Sequence, residues 1–502
     1  TSTLEGFYES VKLRAEGIES AEGKQKIVVE LYDKFFRNAF PKMSERLGIV
    51  STPVEIVDFI LKSADHLLRT EFGQTLGSEG VHILDPFTGT GTFITRLLQS
   101  GLISKEELPR KYATEIHANE IVLLAYYIAA INIEATYHGI VGGEYQPFEG
   151  ICLTDTFQLY EHDDLISRVL VDNSARRVRQ KKLDIRVIVG NPPYSVGQDS
   201  QNDNNQNVAY PSLDARIAET YAARSAAVLK NALYDSYVRA IRWASDRIGQ
   251  SGIIGFVTNA GFIEASTADG LRKCLADEFS ALYVFHQRGN ARTSGERRRK
   301  EAGNVFGGGS RAPVAISLLV KNPKAKERGQ IYFRDIGDYL TREEKLAAVA
   351  EFASVAGISG AGGWTRITPN EHADWLKQRD CDFGGLLPLG IKDRGDNSAR
   401  LFGSFSLGLV TNRDAWAYNP SKRGLGEHMA RMIRFFNAEA ERFDQVHPGL
   451  EKRERAARVD DFINTDPTKI AWTRGLKNEL AKGSVFSLDS TRIVPSVYRP
   501  FT

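Results

Sequence analysis

The feature that most constrains this chain is a series of short apolar runs, each followed by a stretch with helical character, at residues 81–84, 118–122, 150–153, 185–189 and 252–257. A strand buried on both faces carries apolar side chains on both sides of its pleat, so it reads as a continuous run rather than an alternation. Strands alternating with helices point to an α/β fold built on a mostly parallel sheet. Two later runs, 281–285 and 314–320, complete the sheet and are separated by a long polar segment.

Other signals divide the rest of the chain. Within residues 24–40 the apolar residues Ile27, Val28, Leu31, Phe35 and Phe36 recur at helical spacing and stop before Pro41. A second helix is expected over 53–68, with Thr52 as its N-cap and Pro53 in its first position. At 502 residues the chain exceeds one compact core. The expected division is a helical segment over 1–45, the α/β domain over 46–325, a mixed connector over 326–382 and a second domain over 383–502. Gly and aromatic residues among short apolar runs suggest that the last is rich in β-structure and loops.

Lys and Arg total 65 against 63 Asp and Glu, a net charge of +2, so any polyanionic partner must be argued from where the charges lie. Cys152, Cys274 and Cys381 form no closely spaced pair, which fits a reduced, cytoplasmic protein without a zinc site. No apolar run is long enough to cross a membrane as a helix. Position 1 is Thr, and the chain stops at Val497-Tyr498-Arg499-Pro500-Phe501-Thr502, a pattern suggesting a piece of a longer polypeptide.

The first expected strand runs into Asp85-Pro86-Phe87-Thr88-Gly89-Thr90-Gly91-Thr92. It places an acid and glycines at the strand edge where open α/β sheets bind ligands. Glycine lets the backbone approach a ligand, and the following helix offers unpaired amides. A dinucleotide-binding turn would need a third Gly where Ile94 stands, and a phosphate loop would need a Lys that is absent. Alone, Asp85 also reads as a turn residue capping the next helix. Glu120 at the second strand and Asp155 after the third turn three successive strand ends into a nucleoside pocket. There Glu120 would accept the ribose hydroxyls and Asp155 an adenine amino hydrogen.

The sharpest motif is Asn191-Pro192-Pro193-Tyr194, which follows the fourth strand and Gly190. An amino group on an aromatic base is a poor nucleophile because its lone pair is delocalised into the ring. Acceptors aimed at its two hydrogens pull it towards a tetrahedral geometry. The Asn191 side-chain carbonyl and the Pro192 backbone carbonyl can serve, with the prolines fixing both in advance and Tyr194 stacking on the base. The polar stretch from 198 to 207 reads either as a lid that orders on DNA or as a connector without contacts.

These residues resemble the adenine-specific amino-methyltransferases of restriction-modification systems. The Asp85 to Thr92 run looks like their cofactor loop, and Asn191 to Tyr194 like their catalytic motif. In type I modification subunits the ribose-binding acid is followed by Ala and Asn at the spacing of Glu120, Ala129 and Asn132, which favours Glu120 over Glu115. Leu47 to Pro53 looks like the segment that covers the methionine end of the cofactor. The resemblance implies a Rossmann-like S-adenosylmethionine-dependent methyltransferase fold. It also implies S-adenosyl-L-methionine as cofactor, held by Thr52, Pro53, Asp85, Pro86, Phe87, Thr88, Gly89, Gly91, Glu120 and Asp155. The motif order is that of the gamma class.

More narrowly, Leu213-Asp214-Ala215-Arg216-Ile217, Thr220-Tyr221, Leu233 to Tyr237 and Arg242 to Arg247 look like the single-chain type ISP restriction-modification enzymes. That resemblance implies a target-recognition domain over 383–502, incomplete in this sequence. It also implies double-stranded DNA as partner, and nuclease and helicase domains on the same full-length polypeptide.

Two basic clusters, Arg176 to Lys182 and Arg288 to Lys300, are candidates for phosphate contact, each with a solvated surface as the plain alternative. Arg297, Arg298, Arg299 and Lys300 are the stronger candidates because they lie between the last two strands, near the catalytic edge. In the C-terminal region Arg413, Lys422 and Arg423 accompany Trp416 and Tyr418, with Trp416 equally suited to a core. Two rivals remain at this level. One is a protein glutamine methyltransferase, since the same motif suits any planar amide. The other is a silent DNA-recognition module serving a separate nuclease.

Overall fold

In the computed structural model the described residues are 52–160, 171–193, 210–227, 229–307, 311–379, 385–391, 395, 398–405, 408 and 410–496. The expected helix over 24–40, Tyr194 and the polar stretch 198–207 lie outside them. The chain divides into two compact units, one reaching Arg379 and the other formed chiefly by Asp380–Thr502.

The first unit is a nine-stranded sheet. Its strands are β1 (His82–Asp85), β2 (Ile116–Glu120), β3 (Ile151–Leu153), β4 (Ile185–Gly190), β5 (Gly252–Asn259), β6 (Ala281–Arg288), β7 (Val314–Lys321), β8 (Gln330–Asp335) and β9 (Thr365–Ile367). Their spatial order is β3-β2-β1-β4-β5-β7-β6-β8-β9. The first five strands are mutually parallel, and β7 runs antiparallel between β5 and β6. Strand β6 therefore points the same way as β1 to β5. This is the α/β, mostly parallel fold that the apolar runs imply.

The helices follow from the crossovers. Strand order reverses between β1 and β4, so right-handed connections send the helices after β1 and β2 to one face and those after β4 to the other. On the first face α1 (Val54–Phe72) packs on β5 and β7, α2 (Thr92–Gln99) packs on α1, and α3 (Leu123–Val141) packs on α2. Helix α4 (Val171–Lys181) packs on β3, α5 (Pro211–Ile217) on α6 (Ser236–Arg247), α6 on β5, and α7 (Asp269–Glu278) on β6. Helix α8 (Gly295–Glu301) lies between β6 and β7 in sequence, and α9 (Arg342–Phe352) returns to α1. Strands β5 and β7 each bury seven successive residues, the burial expected of central strands.

Three expectations are corrected. The stretch taken as a connector supplies β8 and β9, which extend the sheet beyond β6. Helix α1 starts at Val54, with Pro53 at its cap position and no side-chain cap, so Thr52 does not act as an N-cap. The C-terminal unit, expected to be rich in β-structure, holds no strand among its described residues. Its core is helical: Met432, Phe436, Ala440 and Phe443 line one side of α10 (Lys422–Val446). They pack with Val459 of α11 (Lys452–Phe462) and with Leu476 and Leu480 of α12 (Arg474–Ala481).

Candidate functional site

Strand order reverses at the carboxyl ends of β1 and β4, where open α/β sheets form their ligand crevice, and the expected cofactor and catalytic residues stand at or just past these strand ends. Asp85 ends β1 fully buried, its Oδ1 accepting the Phe87 amide at 3.1 Å, while Oδ2 has no partner. Loss of solvent, with the nearby Glu120 carboxylate as a smaller contribution, raises its pKa to about 8. Gly190 closes β4 beside it. A Cβ at Gly190 would stand 2.9 Å from Asp85 Oδ1, so only glycine lets the fourth strand pass the acid.

The glycine loop is braced from β2 and α3. Glu120 Oε2 accepts the Gly89 amide at 2.8 Å and Oε1 the Val122 amide at 2.7 Å. Burial moves this acid up to about 7 against the pull of those donors. Gly91 has φ 88°, and a Cβ there would meet Ala129 Cα at 3.3 Å, so glycine suits the point where the loop passes the backbone of α3. Asn132 Nδ2 donates to the Thr90 carbonyl at 2.9 Å. Thr88 donates its hydroxyl to the Asp85 carbonyl and its amide to the Asn119 carbonyl. Thr156 donates to the Pro86 carbonyl at 2.6 Å. Glu115, by contrast, is bonded to the Gly80 amide and paired with Arg110 and Lys111.

Asp155 follows β3, its Oδ1 accepting the Phe157 amide at 2.9 Å and its Oδ2 the Tyr210 hydroxyl at 3.0 Å. Burial raises its pKa. Phe87 lies 5.5 Å from Phe157 and 6.2 Å from Phe256 between ring centroids, and Phe157 lies 5.2 Å from Tyr210. These rings form an apolar wall that sequence reading did not assemble. Tyr210 in particular carries no local signal, since it meets Asp155 across 55 residues.

Asn191 stands one residue past β4. Its Nδ2 donates to Thr52 Oγ1 at 3.0 Å, and its Oδ1 is buried without a partner. Pro192 and Pro193 follow it in non-regular backbone. A planar amide with its donor end tied and its acceptor end free, beside a buried acid and a glycine loop, can receive a hydrogen from a flat amino-bearing substrate.

The charged candidates separate into two kinds. Arg297, Arg298, Arg299 and Lys300 are exposed on α8, whose preceding strand β6 ends on the same edge as Asp85 and Asn191. In the first cluster Arg176 turns inward to the Ile151 carbonyl and the Tyr126 hydroxyl, and Arg177 is buried. Arg179 and Lys182 of the same cluster are exposed. In the second unit Lys422 and Arg423 are exposed, with Arg423 bonded to Glu427. Arg413 is half-buried and donates to Thr473 Oγ1 at 2.7 Å, and Trp416 packs against the helical core.

Residues 23–235 match the family model of N-6 DNA methylases, and residues 400–502 match that of the type ISP C-terminal specificity domain. Among solved structures, a nuclease-deletion mutant of the type ISP restriction-modification enzyme LlaGI, in complex with a DNA substrate mimic, is 46% identical with a TM-score of 0.85. It aligns over 97% of this chain and 39% of its own. The ATP-dependent type ISP enzyme LlaBIII bound to DNA is 42% identical with a TM-score of 0.84, over 97% of this chain and 31% of its own. A DrdV–DNA complex is 36% identical with a TM-score of 0.88, over 100% of this chain and 47% of its own. The chain thus spans less than half the length of each of these proteins. No curated protein matches it significantly.

Proposed function

We propose, for a chain that belongs to the type ISP restriction-modification enzymes, that it transfers a methyl group from S-adenosyl-L-methionine to the exocyclic nitrogen of an adenine turned out of double-stranded DNA. The observation that carries this reading is Asn191 Oδ1, a buried acceptor without a partner at the tip of β4. The match to N-6 DNA methylases, followed by the match to a type ISP C-terminal specificity domain, favours DNA over a protein glutamine.

The residues at the crevice suit the cofactor. Asp85 Oδ2 is a buried acceptor in need of a donor, and Glu120 keeps acceptor capacity beyond its two backbone bonds. Asp85, Glu120, Asp155 and the loop from Pro86 to Gly91 would hold it, with Phe87 and Phe157 against its base. When bound, it supplies an electrophilic methyl group on a sulfonium.

The chain's own part is to bind, align and polarise. Asn191 Oδ1 and the Pro192 carbonyl accept the two amino hydrogens and localise the nitrogen lone pair. Their bonds strengthen as positive charge grows on that nitrogen, so the gain falls on the transition state rather than on the bound substrate. Alignment of the two reactants supplies the rest of the acceleration. Extruding the adenine costs a few kcal/mol, which contacts to the extruded base and the flanking duplex must offset.

Single-molecule sequencing of DNA from cells expressing the full-length protein tests the proposal. N6-methyladenine in a fixed sequence context is expected, and unmodified adenine would refute it. The exposed arginines of α8 would contact phosphates. Replacing Arg297, Arg298 and Arg299 together by Ala should weaken binding to all duplexes alike and reduce the salt slope of the affinity by up to about 3. An unchanged slope would place α8 off the DNA.

A further inference from the structure

We propose that Thr52 is a positioning residue for the transfer step, acting through Asn191 and not through the cofactor alone. The inference rests on the reading of Asn191 as the acceptor for the substrate amino group.

Thr52 is 7% exposed and precedes Pro53, the cap residue of α1, and its hydroxyl does not cap that helix. It accepts instead from Asn191 Nδ2 at 3.0 Å, across 139 residues of sequence. Two features fix where that hydroxyl lies. Pro53 restricts the backbone of the residue before it to extended conformations. Helix α1 is anchored through buried Ile56, Val57, Phe59, Ile60 and Leu61 against β5 and β7, so its head cannot drift from the tip of β4.

An asparagine amide has two unlike ends, and only the carbonyl oxygen can receive a hydrogen from an amino group. With Nδ2 held by Thr52, the free end is Oδ1. Take away the hydroxyl, and a buried amide N–H loses its acceptor, a loss the side chain can relieve only by rotating or by turning over. Either movement takes Oδ1 from the substrate. Thr52 thus joins the segment leading into α1 to the catalytic turn and anchors the end of the amide opposite Oδ1.

The test compares Thr52→Val, which keeps the shape without the hydroxyl, with Thr52→Ser, which keeps the hydroxyl, in the full-length protein. Methylation of target DNA is measured at saturating cofactor, and binding of S-adenosylhomocysteine by calorimetry. For Thr52→Val, kcat should fall about 10- to 100-fold, with S-adenosylhomocysteine affinity within about threefold of wild type. Thr52→Ser should restore kcat to within about threefold. A crystal structure of Thr52→Val should show the Asn191 amide rotated.

Wild-type kcat in Thr52→Val, or a loss confined to S-adenosylhomocysteine affinity, would overturn the proposal while leaving the methyltransferase reading intact. An Asn191 amide unmoved in Thr52→Val would also overturn it. A wild-type protein that methylates no DNA would remove the functional reading, and the role of Thr52 with it.

Discussion

Asn191→Ala in the full-length protein is expected to abolish measurable methyl transfer, with a fall in kcat of at least about 10²- to 10³-fold, the usual cost of deleting a preorganised polar group that acts on developing charge. The substitution removes the free acceptor Oδ1 and the bond to Thr52, and it leaves the Asp85–Phe87 and Glu120–Gly89 contacts of the neighbouring loop untouched. Binding of S-adenosylhomocysteine should therefore stay within a few-fold of wild type. Asp155→Ala should give the opposite pattern, weakening that binding more than DNA binding, because Asp155 lies at the end of β3 against Phe157 and Tyr210. Paired titrations with S-adenosylhomocysteine and with a target duplex separate the two. If Asn191→Ala lost both kcat and cofactor affinity in equal measure, its assignment to the base would be wrong.

Much of this arrangement is legible in the sequence because the physics that builds a parallel sheet also writes its strands as apolar runs. The runs at 81–84, 185–189, 252–257 and 314–320 fall on β1, β4, β5 and β7. Strand β2 lies two residues earlier than its run suggests, since its interior contains His117 and Asn119, which are buried and hydrogen-bonded. Strand β8 escapes notice because only Ile331 and Phe333 of its six residues are buried, and β9 because it is a three-residue strand at the sheet's edge. Helix α10 is obscured by Gly424 and Gly426 in its first turns, although Met432, Phe436, Ala440 and Phe443 keep helical spacing.

The site divides in the same way. Asp85, Glu120, Asp155 and Asn191 are visible because each lies in or just after an apolar run at the sheet edge where ligands bind. The pairings that hold them are invisible, because Thr52 to Asn191, Tyr210 to Asp155 and Asn132 to Thr90 each join distant segments. Charge is the least informative sign: Arg176 and Arg177 belong to a basic run, and the fold turns both inward. Only the topology distinguishes that run from the exposed one on α8.

The buried acid at the end of β1 leads to the second large effect. Asp85 has an ordinary carboxylate pKa in the unfolded chain and a folded pKa of about 8. Between those values the folded protein holds a proton that the unfolded chain has released, so stability declines as pH rises across that window and the decline is complete above the folded value. Glu120, raised to about 7, adds a slope of the same sign over the lower part of it. At about 1.4 kcal/mol for each tenfold step, the contribution of Asp85 is bounded at on the order of 5 kcal/mol. Asp85→Asn preserves the shape and an oxygen for the Phe87 amide, and it removes the ionisation. The melting temperature of the ligand-free variant should exceed wild type only slightly near pH 5 and by much more at pH 8.5, at about 1–2 °C for each kcal/mol recovered. The same change should weaken S-adenosylhomocysteine binding, because the anionic acceptor is lost. Ionisation of wild-type Asp85 should also make that binding tighter as pH rises from 6 to 8. Stability is then held below its attainable level by an acid kept ready for a donor, the compromise expected where a site must be preorganised before its ligand arrives. A melting temperature raised equally at both pH values would show that packing, not ionisation, is the source of the gain.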